Sequence, residues 1–243
     1  MTREYSEYYI CFFDLLGQKE FFEKIESSEV APETRTNIER VASGLTESVK
    51  YVKCRYARLF DKDDDAGIEL FSDSLLLSIR VRDEISGKLN EFLDIIVKLV
   101  FIACKYRLPF RGCITRGRAM RSDSGAIYGS AVVEAGELES KRVDYPRVLL
   151  SRELAHEFLR NEALGAYFTR DIDSSYILDY AGHKMMSRLE FEKEKKHLPE
   201  ITEWVRERYQ HYCFLNDKDH NQYANPILAR KYVMWLDYLQ NCT

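Results

Sequence analysis

Two aspartates stand at the ends of apolar segments in this sequence. Asp14 follows the aromatic, β-rich run Tyr8 to Phe13, and Asp73 lies between two short apolar runs, Gly67 to Ser72 and Ser74 to Val81. Two carboxylates brought together in a fold repel each other unless they share a cation or a proton. A divalent metal is therefore the chemistry that these two residues predict if they meet.

Oxygen ligands select hard cations. Two aspartates, together with a backbone carbonyl such as that of Leu15, favour Mn²⁺ or Mg²⁺ over zinc. Two such ions would activate an attacking oxygen and stabilise a leaving oxygen in phosphoryl transfer. The structural alternative is that Asp14 is a helix N-cap and Asp73 a turn residue, and spacing alone does not exclude it.

Basic residues that could meet a phosphate occur in two segments. A predicted strand and its exit carry three arginines, Arg111, Arg116 and Arg118. We expect their side chains to share a face and to stabilise the negative charge that develops on a phosphate during the reaction. Surface ion pairs are the alternative. Lys19, supported by the amides of residues 16 to 18 (Leu16, Gly17 and Gln18), could bind phosphate at the start of a helix.

The predicted elements explain how these residues could meet. Their order is β, α, α, a β-hairpin hinged at Ser72-Asp73, α, β, α, β and then a helical tail, which contains the βαββαβ pattern of ferredoxin-like sheets. We therefore expect an α+β fold with helices on one face of the sheet. The end of the first strand and the tip of the hairpin are neighbours in such a sheet. We assign residues 1–185 to this domain and 186–243 to a C-terminal helical extension packed on it.

Composition restricts the class of protein. The 243 residues are 45% apolar and 31% charged with a net charge of −4, which is typical of a soluble globular chain and argues against a broad nucleic-acid or membrane surface. The six cysteines form no CxxC pair, and the N-terminus lacks a signal-peptide pattern. We expect a cytoplasmic protein with no nucleic acid or membrane partner. GxSxG, Walker and GxGxxG patterns are absent from the sequence.

Four segments together resemble one enzyme family. FFDLLGQKEFF (Phe12 to Phe22) is similar to the FxDIxGFT opening of class III nucleotidyl cyclases, and FSDSLLLS (Phe71 to Ser78) is similar to their second metal-binding hairpin. RGCITRG (Arg111 to Gly117) and IYGSAVVEAGELESKRVDYPRVLLS (Ile127 to Ser151) resemble their next two blocks, in the same order. The resemblance implies a metal-dependent cyclase in which Asp14 and Asp73 hold two Mn²⁺ or Mg²⁺ ions.

The departures from the family pattern concern the base and the ribose. Glu69 and Ala126 stand where purine cyclases carry an adenine-selecting Lys and Asp. Val133 and Glu137 stand where the family has its ribose-orienting Asn and its transition-state Arg, so those two roles cannot be carried over. Arg111 or Arg116 is the predicted replacement for the missing cationic group.

The RG strand, the AxELE sequence and the following YPR resemble the compact pyrimidine cyclases of the Pycsar antiphage system. This resemblance implies a homodimer that converts UTP, or alternatively CTP, into a cyclic mononucleotide. Arg55, Tyr51 or Arg111 could donate a hydrogen bond to the uracil O4, whereas Glu69 could accept one from a cytosine amine. A nucleotide-binding sensor without catalysis is a further alternative. A polymerase palm or diguanylate cyclase domain would use the same two-metal phosphoryl-transfer chemistry, but no GGDEF hairpin is present in the sequence.

Overall fold

The fold is built on one mixed β-sheet. A computed structural model describes residues 5–15, 32–59, 66–71, 74–82, 86–122, 125–182, 191–213 and 226–242. Eight strands form the sheet in the order β2-β3-β1-β4-β6-β8-β7, with β5 paired to β4 outside this path. Among the described helices, none combines the length and apolar character that crossing a bilayer requires.

The first half of the chain forms the ferredoxin-like unit. Strand β1 (Ser6–Leu15) is followed by helix α1 (Pro32–Leu59), the hairpin strands β2 (Gly67–Phe71) and β3 (Ser74–Arg80), helix α2 (Ser86–Lys105) and strand β4 (Phe110–Arg121). Strand β1 lies between β3 and β4 and pairs antiparallel with both. The order β2-β3-β1-β4 is the arrangement that the sequence predicts.

The second half extends the sheet beyond β4. Strand β5 (Ile127–Gly129) precedes helix α3 (Ser130–Arg142), and β6 (Val148–Leu150) pairs parallel with β4. Helices α4 (Arg152–Phe158) and α5 (Glu162–Gly165) lead to the hairpin of β7 (Phe168–Arg170) and β8 (Tyr176–Leu178). The side chain of Ser151 accepts a hydrogen bond from the Leu154 amide and caps α4.

Both faces of the sheet are covered, because β1 is apolar on both sides. Tyr9, Cys11 and Phe13 join a large core with α1, α2 and α4, whereas Tyr8 and Ile10 pack on the other side with α3. A strand buried on both faces reads as a nearly continuous apolar run, which is the pattern seen here. The expectation of helices on one face is therefore wrong for α3, whose small residues Ala131 and Ala135 lie against the second face.

The C-terminal helices belong to the larger of the two cores. Helices α6 (Glu192–Lys195), α7 (Leu198–Cys213) and α8 (Pro226–Cys242) follow the sheet in sequence. Trp204 on α7 and Trp235 on α8 are buried in the same apolar cluster as the sheet residues, and the Trp235 indole donates to the Tyr180 hydroxyl at 2.6 Å. The division at residue 185 stays a prediction, since this core is continuous across it.

Candidate active site

Three polar residues lie side by side across the centre of the sheet. Asp14 near the end of β1 is paired with Ser74, the first residue of β3, and with Arg111 near the start of β4. Directly opposed residues on neighbouring antiparallel strands point to the same face. The register of β1 therefore fixes a serine, an aspartate and an arginine in one row on the face that α3 covers.

Hydrogen bonds orient the Asp14 carboxylate within this row. The Ser74 hydroxyl donates to Oδ1 of Asp14 at 2.6 Å, and the Nε of Arg111 donates to Oδ2 at 3.3 Å. The Asp14 side chain is mostly buried, whereas that of Arg111 is about a quarter exposed. Both carboxylate oxygens are thus engaged, each by a donor from a different neighbouring strand.

A second carboxylate reaches Arg111 from above the sheet. Glu139 on α3 forms an ion pair with the Arg111 Nε, and its side chain is buried. Glu139 is four residues after Ala135 and eight after Ala131, so it continues the buried stripe of the helix. Arg111 consequently sits between two acidic groups, one on the sheet and one on the helix.

The donor set at this position is compatible with a hard divalent cation. The Asp14 carboxylate and the Ser74 hydroxyl offer oxygen donors, which suit Mg²⁺ or Mn²⁺ better than zinc. Within the described ranges, no group of three or more His, Cys, Asp or Glu residues clusters as a metal site. Asp73, the second predicted ligand, lies outside the described residues, and β3 begins at the residue that follows it.

The prediction that Arg111 and Arg116 share a face is wrong. Arg111 is paired with Asp14, but Arg116 is paired with Tyr9, whose ring belongs to the opposite face. Residues five apart on a strand point to opposite faces, since side chains alternate with a period of two. Arg116 forms ion pairs there with Glu7 at 2.6 Å and Glu157 at 2.7 Å. Arg118 shares the face of Arg116, where its guanidinium lies over the Tyr5 ring.

Glu69 lies on the same face as Asp14 but already has partners. Its Oε1 accepts a hydrogen bond from the Ile127 amide at 2.6 Å and lies 3.9 Å from the Arg121 guanidinium. Burial raises the pKa of Glu69, and the Ile127 amide and Arg121 partly oppose that shift. Arg121 also donates to the Ser78 hydroxyl and to the Gly125 carbonyl, and it passes over Gly67, where a Cβ would collide with the guanidinium.

The remaining predicted residues lie away from this row. Tyr51 on α1 is half-buried and packs against the larger core, on the opposite side of the sheet from Asp14. Arg55, one turn further along α1, is partly exposed. The Leu15 side chain is buried in the same core. Leu16, Gly17 and Lys19 lie outside the described residues, so their nucleotide contacts stay predictions.

Three residues of this face were not among the predicted site residues: Ser74, Glu139 and Arg121. Glu139 had a sequence signal, because the spacing 131, 135, 139 places it on the buried stripe of α3. The sequence signal for Arg121 is weaker: it lies ten residues after Arg111, and an even separation puts both side chains on the same face of a continuous strand. The role of Ser74 depends on the register between β1 and β3, which the sequence does not specify.

Comparison with known proteins finds a similar architecture among solved structures only. No protein-family model and no curated protein matches the chain. Among solved structures, the monomeric guanylyl cyclase domain of the RhoGC fusion protein from the aquatic fungus Blastocladiella emersonii is similar, with a TM-score of 0.50, 12% identity and coverage of 73% of this chain and 98% of that chain.

Two further solved structures are more distant. The catalytic core of a rhodopsin-guanylyl cyclase with converted specificity, solved with ATPαS, has a TM-score of 0.44, 13% identity and coverage of 72% of this chain and 96% of its own. A bacterial light-regulated adenylyl cyclase has a TM-score of 0.41, 14% identity and coverage of 82% and 99%. The likeness to the fungal domain concerns the fold, which is that of class III cyclase domains with an added C-terminal helical part.

Proposed function

We propose that this protein is a metal-dependent nucleotidyl cyclase that converts UTP into 3′,5′-cyclic UMP and pyrophosphate. The observation that carries the proposal is the placement of Asp14 on the central strand of a cyclase fold, hydrogen-bonded to Ser74, the residue after Asp73. In the reaction, the substrate 3′-oxygen loses its proton and bonds to the α-phosphorus, and the bond from that phosphorus to the pyrophosphate oxygen breaks.

The residues that would hold the metal are Asp14, Asp73 and the Leu15 carbonyl. When bound, Mn²⁺ or Mg²⁺ supplies activation of the attacking oxygen and neutralises the leaving pyrophosphate. Ser74 and Arg111 keep the Asp14 carboxylate in a defined orientation through their hydrogen bonds. Lys19 and the amides of Leu16 and Gly17 are proposed to bind the phosphates.

Arg111 is the cationic group that we assign to the transition state. Its guanidinium lies on the face of Asp14 and is partly exposed, so it can meet the charge that develops on a phosphate. Both arginines pair with two carboxylates, but Arg116 lies on the opposite face of the sheet from Asp14. We therefore transfer the catalytic role predicted for either arginine to Arg111 alone.

Base choice follows from the balance of donors and acceptors. The Oε1 of Glu69 accepts from the Ile127 amide and faces Arg121, so Glu69 is a poorer acceptor for a cytosine amine than an unengaged carboxylate would be. A hydrogen-bond donor facing the uracil O4 favours UTP over CTP. Tyr51 and Arg55 lie away from the Asp14 row in their own subunit, so we propose that they supply this donor from the facing copy. A buried donor left unpaired by the wrong base penalises that base strongly.

The proposed enzyme works as a homodimer in antiphage defence. Val133 on α3 is 62% exposed and Tyr128 on β5 is 46% exposed, and we propose that a second copy covers these two side chains. One set of the four motif blocks provides one set of metal ligands, so a facing copy is proposed to complete each site. The defence role rests on the resemblance of the AxELE and YPR segments to antiphage pyrimidine cyclases.

The direct test is incubation of the full chain with each of the four ribonucleoside triphosphates and Mn²⁺. We expect cyclic UMP as the main product, with Asp14→Asn and Arg111→Ala each abolishing turnover. Arg116→Ala is the matched control, because it removes a strand-β4 arginine on the other face, and it should keep most of the activity.

Other outcomes assign other functions. A higher rate with CTP than with UTP would reverse the base assignment and point to Glu69 as the group that reads the base. Binding of a triphosphate without any product would indicate a nucleotide sensor. A linked dinucleotide would indicate a diguanylate cyclase or polymerase-like activity, and it would overturn the proposal.

A further inference from the structure

A cavity of about 370 Å³ lies at the C-terminal end of α3. It is formed by the end of α3, the segment before β6, the β7–β8 turn and helix α8. A volume of this size is within the range of about 300–1,000 Å³ in which proteins bind small molecules. Its lining consists of Lys141, Arg142, Asp144, Arg147, Ile172, Asp173, Arg230 and Met234.

The charge of this lining is positive although the chain as a whole is acidic. Four of the eight residues are cationic and two are acidic. Both acids are close to the same cation, since Arg147 Nη2 lies 3.0 Å from Asp173 and 3.6 Å from Asp144. Within the described part of the chain, the guanidinium groups of Arg142 and Arg230 form no ion pair, so two cations from separate helices line the cavity without an acidic partner of their own.

Arg147 forms the rigid wall of the cavity. It is buried, its Nη1 pairs with Asp171 at 2.5 Å, and its Nη2 donates to the Arg142 carbonyl at 2.8 Å. Its Nε is buried and has no hydrogen-bond acceptor among the described residues. Buried donors are almost always satisfied, so this N–H is an exception inside the wall and is not offered to a ligand in the cavity.

The cavity also has an apolar side. Ile172, in the β7–β8 turn, is 70% exposed, and Met234 on α8 stands with it in the lining. Together these two side chains offer an apolar surface to an organic group at the edge of a basic cavity. Cations on one side and apolar groups on the other match a ligand that carries a phosphate on a ring or carbon skeleton.

We propose that this cavity binds a small organic phosphate, with the phosphate between Arg142 and Arg230 and the organic part against Ile172 and Met234. The site shares no residue with the Asp14, Ser74 and Arg111 row. It is connected to that row by α3, because Arg142 lies three residues after Glu139, which holds Arg111. The proposal goes beyond the cyclase function and does not depend on it.

The test is calorimetric titration of the full chain in metal-free buffer containing EDTA, with adenosine 5′-monophosphate, adenosine and inorganic phosphate as probes. Chelation of the metal and the purine base both disfavour binding at the proposed active site. We expect the monophosphate to bind at least tenfold more tightly than either fragment. The double variant Arg142→Ala/Arg230→Ala should lower its affinity at least tenfold, whereas Arg142→Lys/Arg230→Lys should retain most of it.

Two controls separate this site from the rest of the surface and from the active site. Arg152→Ala/Arg160→Ala removes two exposed arginines that do not line the cavity and should leave the affinity unchanged. Asp14→Asn should also leave it unchanged. The proposal is overturned if the monophosphate does not bind, if the Arg142/Arg230 double variant binds it normally, or if Asp14→Asn abolishes binding. Equal affinity for inorganic phosphate would overturn the part played by Ile172 and Met234.

Discussion

Ser74 and Asp14 are paired across strands β3 and β1, and the Ser74 hydroxyl donates a 2.6 Å hydrogen bond to the Asp14 carboxylate. The pairing is part of a continuous register that runs from Tyr8 with Arg80 to Asp14 with Ser74. A shift of one residue would turn Asp14 to the opposite face of the sheet. The pairing of β1 with β3 therefore also fixes the position of the proposed metal ligand.

Replacement of Ser74 by alanine should weaken metal binding and catalysis together. Hydrogen bonds to charged groups contribute about 1.5–3 kcal/mol, so we expect Mn²⁺ affinity and kcat/KM for UTP to fall roughly tenfold to a hundredfold. The measurements are Mn²⁺ titration by electron paramagnetic resonance and initial rates at saturating metal. Ser140→Ala is the control, because Ser140 only donates to helix carbonyls of α3. Unchanged Mn²⁺ affinity in Ser74→Ala would show that Asp14 is held without this bond.

Removal of the Glu139 charge should affect both stability and Arg111. Glu139 is buried and forms an ion pair with Arg111, and breaking a buried pair on one side costs up to about 3–5 kcal/mol. Because Arg111 is partly exposed and keeps Asp14, we expect Glu139→Gln to lower the free energy of unfolding by about 1–3 kcal/mol and to reduce kcat more than it raises KM.

The neighbouring Glu137 provides a matched control on the same helix. Its carboxylate is exposed and lies 3.3 Å from Lys141, a surface pair of the i,i+4 type. Such pairs contribute about 0.3–0.5 kcal/mol, so Glu137→Gln should change the free energy of unfolding by no more than that. Chemical denaturation of both variants gives the comparison, and equal losses would contradict the assignment of Glu139 as the residue that positions Arg111.

Much of the fold could be predicted from the sequence because its signals are local. The nearly continuous apolar run of β1, the apolar runs around Asp73 and the helical spacing of α1 and α2 each predict one element, and the order of elements limits the sheet to few topologies. Strand β5 was not predicted. Its three residues have no pattern of their own and form a strand only by pairing with residues 119–121 of β4.

The site was predicted less completely because it depends on which face each side chain occupies. A βαββαβ topology brings the end of β1 beside the start of β3, which the structure confirms for Asp14 and Ser74. The prediction that Arg111 and Arg116 share a face was wrong, because side chains separated by an odd number of residues on a strand point to opposite faces. The Glu69 contact with the Ile127 amide requires β5 to lie near β2, and no short-range pattern in the sequence indicates that approach.

Acid should weaken the β7–β8 turn through Asp173. Burial alone would raise the pKa of Asp173, but hydrogen bonds from Ser175 and Arg147 outweigh it and lower the pKa from 3.8 to about 2. The folded state therefore favours the carboxylate, so its stabilising effect is complete above about pH 4 and is lost as the pH falls through 2. The Asp173 side chain is 41% exposed, and solvent screening limits the effect to about 1 kcal/mol.

The measurement for Asp173 is the free energy of unfolding of wild type and Asp173→Asn from pH 6 to pH 2. The wild type should be more stable at pH 6, and the difference should shrink steadily below pH 4. Asp144→Asn is the control, because Asp144 is more exposed and lies 3.6 Å from the same arginine, so its effect should stay below about 0.5 kcal/mol. A difference that does not depend on pH would contradict the role of the Asp173 carboxylate.

Two glycines on either side of the candidate site should respond to alanine in opposite directions. A Cβ at Gly112 on β4 would lie 2.7 Å from the Phe12 carbonyl oxygen of the neighbouring strand, whereas a Cβ at Gly136 on α3 would meet no atom within 4 Å. The Phe12 carbonyl is backbone in the middle of the sheet and cannot move aside without disturbing β1. Gly112→Ala should therefore destabilise the fold by about 1–3 kcal/mol, the usual cost of overpacking. Gly136→Ala should stabilise it by up to about 1 kcal/mol, because alanine has the higher helix propensity.

Thermal and chemical denaturation of both variants, with Mn²⁺ affinity as a second readout, test this pair. We expect Gly112→Ala also to weaken Mn²⁺ binding, since it displaces the strand segment that pairs Asp14 with Arg111. A Gly112→Ala variant with unchanged stability and normal Mn²⁺ affinity would show that β1 and β4 tolerate a wider separation than this packing implies.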